Sequence, residues 1–114
     1  MPEDDKAADA ALIARIRPII RRRKGYSEMK MFGGLCFMIN GNMCVGSWKR
    51  ALIVRLEREE HERTQSHPDA KPMDITGKVM RGWALIEASG IAEDDDLKFW
   101  VRRAADFVAT LPPK

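Results

Sequence analysis

The stretch LCFMINGNMCV, residues 35–45, constrains this chain more than any other. An Asn-Gly pair between two apolar runs is the strongest short signal for a β-hairpin, because the type I′ turn needs positive φ at both positions and these residues adopt it at least cost. With Asn40-Gly41 as the loop, Cys36 faces Val45 and Cys44 faces Phe37. Side chains alternate along a strand. One hairpin face therefore carries Leu35, Phe37, Ile39 and Cys44, and the other carries Cys36, Met38, Met43 and Val45. Both faces are apolar. A sheet with one face in water is polar on that face, so either the chain's own loops or a second subunit must cover the outer one. Methionine-rich strands suit an adaptable interface.

This register also bears on the two cysteines, the only ones in the chain. It puts their thiols on opposite faces, where they cannot bond. A three-residue loop would bring them to one face only diagonally, at about 7 Å between backbones, beyond comfortable disulfide geometry. A metal site needs further ligands at suitable spacing, and His61 and His67 belong to no motif with them. The expectation is two buried packing thiols and no metal or cofactor.

The rest of the chain builds around this hairpin. Residues 4–23 read as a helix, with Leu12, Ile16, Ile19 and Ile20 on one stripe and Ile13 widening it. Asp4, Asp5 and Asp9 at its start and Arg21, Arg22, Arg23 and Lys24 at its end suit the helix dipole. Gly25 stops it, and Pro18 predicts a bend near Arg17 or two helical pieces. Gly33-Gly34 reads as a bulge or sharp bend in the first strand. SWKR is a second turn. ALIVRL is a third strand with Leu52, Val54 and Leu56 on one face and Ile53 and Arg55 on the other. EREEHERTQ is a short helix, polar all round and so exposed or weakly held, with His61 solvated. SHPDAKPMDITGK is turn-rich, and RGWALIEA is a fourth strand. The last segment is a helix with Leu97, Trp100, Val101, Ala104, Val108 and Leu111 on one stripe, Asp94 to Asp96 at its positive end and Pro112-Pro113 closing it. The order is helix, three strands, short helix, strand, helix. It predicts a single two-layer α+β domain over residues 1–114, an antiparallel sheet with the N- and C-terminal helices packed on it.

Composition narrows the setting. The opening MPEDDKAADA lacks the basic start and apolar stretch of a signal peptide. The longest strictly apolar runs are five residues, against about 20 for a membrane-spanning helix. The chain is expected to be cytoplasmic, without membrane contact. A net charge of +3, from 20 basic and 17 acidic side chains, permits nucleic-acid contact without requiring it.

Catalytic patterns are missing. Ser27, Ser47, Ser66 and Ser89 sit beside turns or strand ends, none in G-x-S-x-G. TGK at 76–78 lacks the glycine spacing of a phosphate loop, and there is no G-x-G-x-x-G. The chain reads as non-enzymatic.

MFGGLCFMINGNMCVG, then ALIVRL, then KPMDITGKVMRGW and LKFWVRRAADFVATLPPK resemble the TfoX/Sxy N-terminal domain family from about residue 10 to 113. MFGGL with the downstream pair Met80-x-Gly82-Trp83 is the characteristic combination. The resemblance implies a curved antiparallel sheet with helices packed on it, as in secretion-chaperone-like folds. The named members are bacterial regulators of competence that act with a transcription activator and carry a second, C-terminal domain of helix-hairpin-helix character. This chain ends in LPPK and is expected to be a stand-alone N-terminal domain. The resemblance brings no catalytic residues.

Two functional readings follow. The first is a regulatory module that binds a partner protein or a second copy of itself as a homodimer, through Met31, Phe32, Gly33, Gly34, Met38, Met43, Met80, Gly82 and Trp83. The second is nucleic-acid binding through Arg21, Arg22, Arg23, Lys24, Lys49, Arg50 and Arg81, since cations neutralise phosphates and nearby tryptophans can stack on bases. A small-ligand pocket between sheet and helices is a third.

Overall fold

The computed structural model describes residues 2–31, 34–74 and 77–114, with side chains from Lys6 onward. Helix α1 (Pro2–Ile20) is followed by four strands, β1 (Tyr26–Met31), β2 (Gly34–Ile39), β3 (Asn42–Trp48) and β4 (Ala51–Arg55). A short 3-10 turn (Arg58–Glu60) leads into α2 (His61–Gln65), then come β5 (Ala70–Pro72), β6 (Trp83–Ile86) and the long helix α3 (Asp94–Val108). The strands form one antiparallel sheet in the order β1-β2-β3-β4-β6-β5. Helices α1 and α3 lie against each other on one face of it, the expected two-layer α+β arrangement with two strands more than the sequence suggested.

Met31 pairs with Gly34, so the chain reverses there and starts a new antiparallel strand instead of bending within one; Phe32 and Gly33 lie outside the described residues. Pro18 does not split α1. The helix ends two residues later, at Ile20, so the ring costs only the bond to the carbonyl of Ala14, which is exposed to water. Arg21 to Lys24 accordingly lie just past the helix, not within its last turn.

The hairpin turn is the expected one, with Asn40 at φ 53° and Gly41 at φ 82°. Its register then slips. Ile39 pairs with Asn42 and Met38 with Met43, but Phe37 pairs with Val45 and Cys36 with Gly46. Cys44 is the extra residue of a bulge, which shifts the side-chain alternation by one beyond it. Val45 therefore joins the helix-side core instead of the outer face. Glycine falls opposite Cys36, where a Cβ would stand 3.0 Å from the thiol sulfur.

The helix-side core contains Leu12, Ile16 and Ile20 of α1, Phe37, Leu52, Val54 and Ile86 of the sheet, and the predicted α3 stripe of Leu97, Trp100, Val101, Ala104 and Val108. The outer face has its own buried cluster of Cys36, Met38, Met43, Ile53 and Met73, with Met31, Trp48, Met80, Trp83 and Leu85 packed around it. Met73 and Met80 belong to the turn-rich segment after β5 and lie on this face, joined by a hydrogen bond from the Met80 N–H to the Met73 carbonyl at 3.0 Å. The chain's own loop thus supplies much of the cover that the apolar outer face requires.

Candidate interaction site

The family motif leads to a groove. Where β1 ends and β2 begins, Met31, Gly34 and Leu35 line a cleft of about 590 Å³ together with Ala10 and Ile13 of α1. Its floor is apolar: Ile13 and Leu35 are half-buried against the helix-side core. Lys6, Asp9 and Lys30 complete its lining, giving an apolar floor with both signs of charge nearby. Asp9 is partly committed, since its Oδ1 accepts the backbone N–H of Arg50 at 2.8 Å. The motif itself pointed to Met31 and Gly34. Lys6, Asp9, Ala10, Ile13, Lys30 and Leu35 are not among the candidates read from the sequence, because the groove exists only once α1 docks beside β1 and β2. Leu35, within MFGGL, was the available signal.

The other expected interaction residues are placed differently. Met38 and Met43 are each 7% exposed, beneath the outer cluster. Met80 and Trp83 are half-buried at its margin, and the Arg55 guanidinium lies over the Trp83 ring at 5.2 Å. Arg55 loses much of its hydration there, which pulls its pKa down. Gly82 is a backbone junction. It sits at φ 90°, donates its N–H to His61 Nδ1 at 3.0 Å and accepts the Leu56 N–H at 2.9 Å. The Met-x-Gly-Trp part of the motif therefore has a structural explanation.

His61 is a correction to the sequence reading. It is 8% exposed, not solvated, and is buried with Thr64 on the inner side of the short helix. Spacing within a glutamate-rich run gave no sign of this, because the partner is a backbone amide 21 residues away. His67 meets the Trp100 ring edge-on at 5.2 Å.

The basic candidates do not converge. Arg21, Arg22 and Lys24 are exposed at the C-terminal end of α1, while Arg23 is paired with Asp106 at 2.7 Å. Lys49 and Arg50 form the β3–β4 turn, tied to Asp9. Asp9 and Arg21 are separated by about 18 Å along a helix axis at 1.5 Å per residue. Arg81 is paired with Glu62 at 2.7 Å.

Among the described residues, no group of three or more His, Cys, Asp and Glu side chains comes together to hold a metal. The Ser47 hydroxyl is buried and has no hydrogen-bond partner there. Among the described residues, no helix is long and apolar enough to cross a membrane. Both cysteines are free and buried, Cys44 in the helix-side core and Cys36 in the outer cluster.

Burial pushes the Cys36 thiol up from an ordinary 9.0 to about 11 and the Cys44 thiol to about 12. The unfolded chain loses these protons first, so stability is undiminished below about pH 9 and falls as pH rises through the window to 12. At mildly alkaline pH a thiol reagent is expected to modify neither cysteine in the folded chain and both in guanidinium. Rapid labelling of either native thiol contradicts the packing assignment.

Searches among characterised proteins and among solved structures return no match. The family model for the TfoX N-terminal domain matches residues 19–108, which include Met31, Gly34, Leu35, Met80, Gly82 and Trp83. The chain thus belongs to the TfoX N-terminal domain family, a family of regulatory type.

Proposed function

We propose that this chain is a non-catalytic regulatory module of the cytoplasm that acts by binding a partner protein in the groove between α1 and the β1–β2 hairpin. The observation that carries the reading is that Met31, Gly34 and Leu35 of the family motif line a cleft of about 590 Å³. An apolar floor beside charged groups is the anatomy of a protein contact. Membership of a family of competence-regulator type supports the regulatory part. The nucleic-acid reading has less support, because its basic residues lie in separate places and two of them are committed to ion pairs.

The test places a photo-crosslinking residue at Ala10 in the groove, and a control at the exposed Glu59. Proteins captured from native cells are identified, made separately and titrated with the purified chain. A partner captured from the groove alone, and bound at least about tenfold more weakly by Ile13→Arg, supports the reading; a tenfold loss corresponds to about 1.4 kcal/mol. Equal capture from both positions contradicts it. Recovery that disappears with nuclease favours the basic residues instead.

A further inference from the structure

Among the described residues, no strand pairs with the outer edge of β1. β1 is the outermost strand, and its four central residues are exposed. Helix α1 packs over β2 and β3, while the opposite edge, β5, is only three residues long and ends in Pro72. An open six-residue edge is a template for another strand unless charge or shape prevents it. β1 carries both charges, Glu28 and Lys30, with Met29 between them.

The direction of its free backbone groups can be worked out. The Asn40 N–H donates to the Gly25 carbonyl at 3.0 Å. Hydrogen-bonded and non-bonded pairs alternate along an antiparallel ladder. Ser27, Met29 and Met31 therefore bond to β2, while Glu28 and Lys30 turn their N–H and C=O groups outward. Tyr26 agrees with this alternation, since its N–H goes to Arg23 and not to β2. A neighbouring antiparallel strand must set its own outward residues opposite these.

We propose that two copies of this chain pair through β1, antiparallel about Met29, into one continuous sheet. In that register Glu28 lies opposite Lys30 of the second copy, and the two-fold axis repeats the pair. Each is a hydrogen-bonded pair, so the backbone bonds and the opposite charges form together. Shifting the strands by one pleat in one direction sets Glu28 against Glu28, and in the other Lys30 against Lys30. Like charges directly opposite are destabilising. The same two charges that keep foreign strands off the edge are thus complementary to a second copy of themselves. Met29, 51% exposed, lies opposite Met29 at the axis on the outer face, beside Cys36 of the methionine-rich cluster. Glu28 and Lys30 lie on the helix face, where the Glu28 carboxylate also receives Arg17 at 2.9 Å. This pairing shares Lys30 and Met31 with the groove lining, but the two readings fail separately: Ile13→Arg alters the groove without touching β1, and Glu28→Lys alters β1 without touching the groove lining.

Sedimentation equilibrium of the full chain over a concentration series tests it. The wild type is expected to dimerise. Lys30→Glu and Glu28→Lys each leave a strand of one sign and weaken association about tenfold to a hundredfold. An equal mixture of the two variants restores it, because the strands then have opposite signs. Mild oxidation supplies a readout that does not depend on charge. In a Cys36→Ala background, which removes the native thiol paired with position 29, Met29→Cys is expected to give a disulfide-linked dimer, whereas Ser27→Cys alone does not, and Ser27→Cys mixed with Met31→Cys does. A monomeric wild type at every concentration, a dimer indifferent to Lys30→Glu, or equally ready crosslinking by Ser27→Cys alone would overturn the proposal.

Discussion

Replacing Gly82 by alanine is expected to cost about 3 kcal/mol or more and to lower the melting temperature by at least about 10 °C. Two terms contribute. At φ 90° a side chain is strained wherever it points. In addition, the new Cβ would stand 2.7 Å from the Leu56 carbonyl oxygen and 3.1 Å from the Arg58 backbone. Those atoms belong to the chain leaving β4 and cannot rotate away as a side chain would. Any shift of Gly82 also disturbs the bond from its N–H to buried His61. Gly77 provides the control, having the same φ of 90° with nothing within 4 Å of its Cβ position. Gly77→Ala should lose only the conformational term, about 1–2 kcal/mol. Thermal unfolding of both variants separates strain from collision. Equal losses would mean that the strand end slides to make room.

Met73→Ala is expected to destabilise the chain by about 2–5 kcal/mol, the range for emptying a buried methionine site. Met73→Leu, nearly volume-conserving, should cost less than about 1.5 kcal/mol. The more informative effect is local. Met73 is fully buried and anchors the loop that lies on Cys36, Met38 and Met43. Once that anchor is lost, the outer face should bind a hydrophobic dye, and the Cys36 thiol should become reactive. Cys44, beneath the helices in the other cluster, should stay protected. Thiol labelling followed by mass spectrometry reads the two sites separately. Simultaneous exposure of both would show that the two faces unfold as one unit.

The residues alone determine much of this protein. Asn40-Gly41 sets a tight turn, because a type I′ hairpin turn needs positive φ twice and these two residues adopt it most readily. The period of α3 from Leu97 to Val108 puts one stripe in the core. Alternation in ALIVRL sorts Leu52 and Val54 from Ile53. These are local rules acting over one or two turns of chain.

Tertiary structure decided what depends on distant partners. The bulge at Cys44 carried Val45 to the helix side, and no nearby residue announces that slip, because the gain lies in packing across strands. His61 looks solvated among glutamates until Gly82 arrives as its partner. β1 and β5, YSEMKM and AKP, are too polar or too short for a period to stand out, and become strands by pairing with neighbours already in place. The groove needs Ile13 and Leu35 side by side. Local pattern records which face a residue turns to the core, whereas a site made of several elements comes into being only when those elements meet.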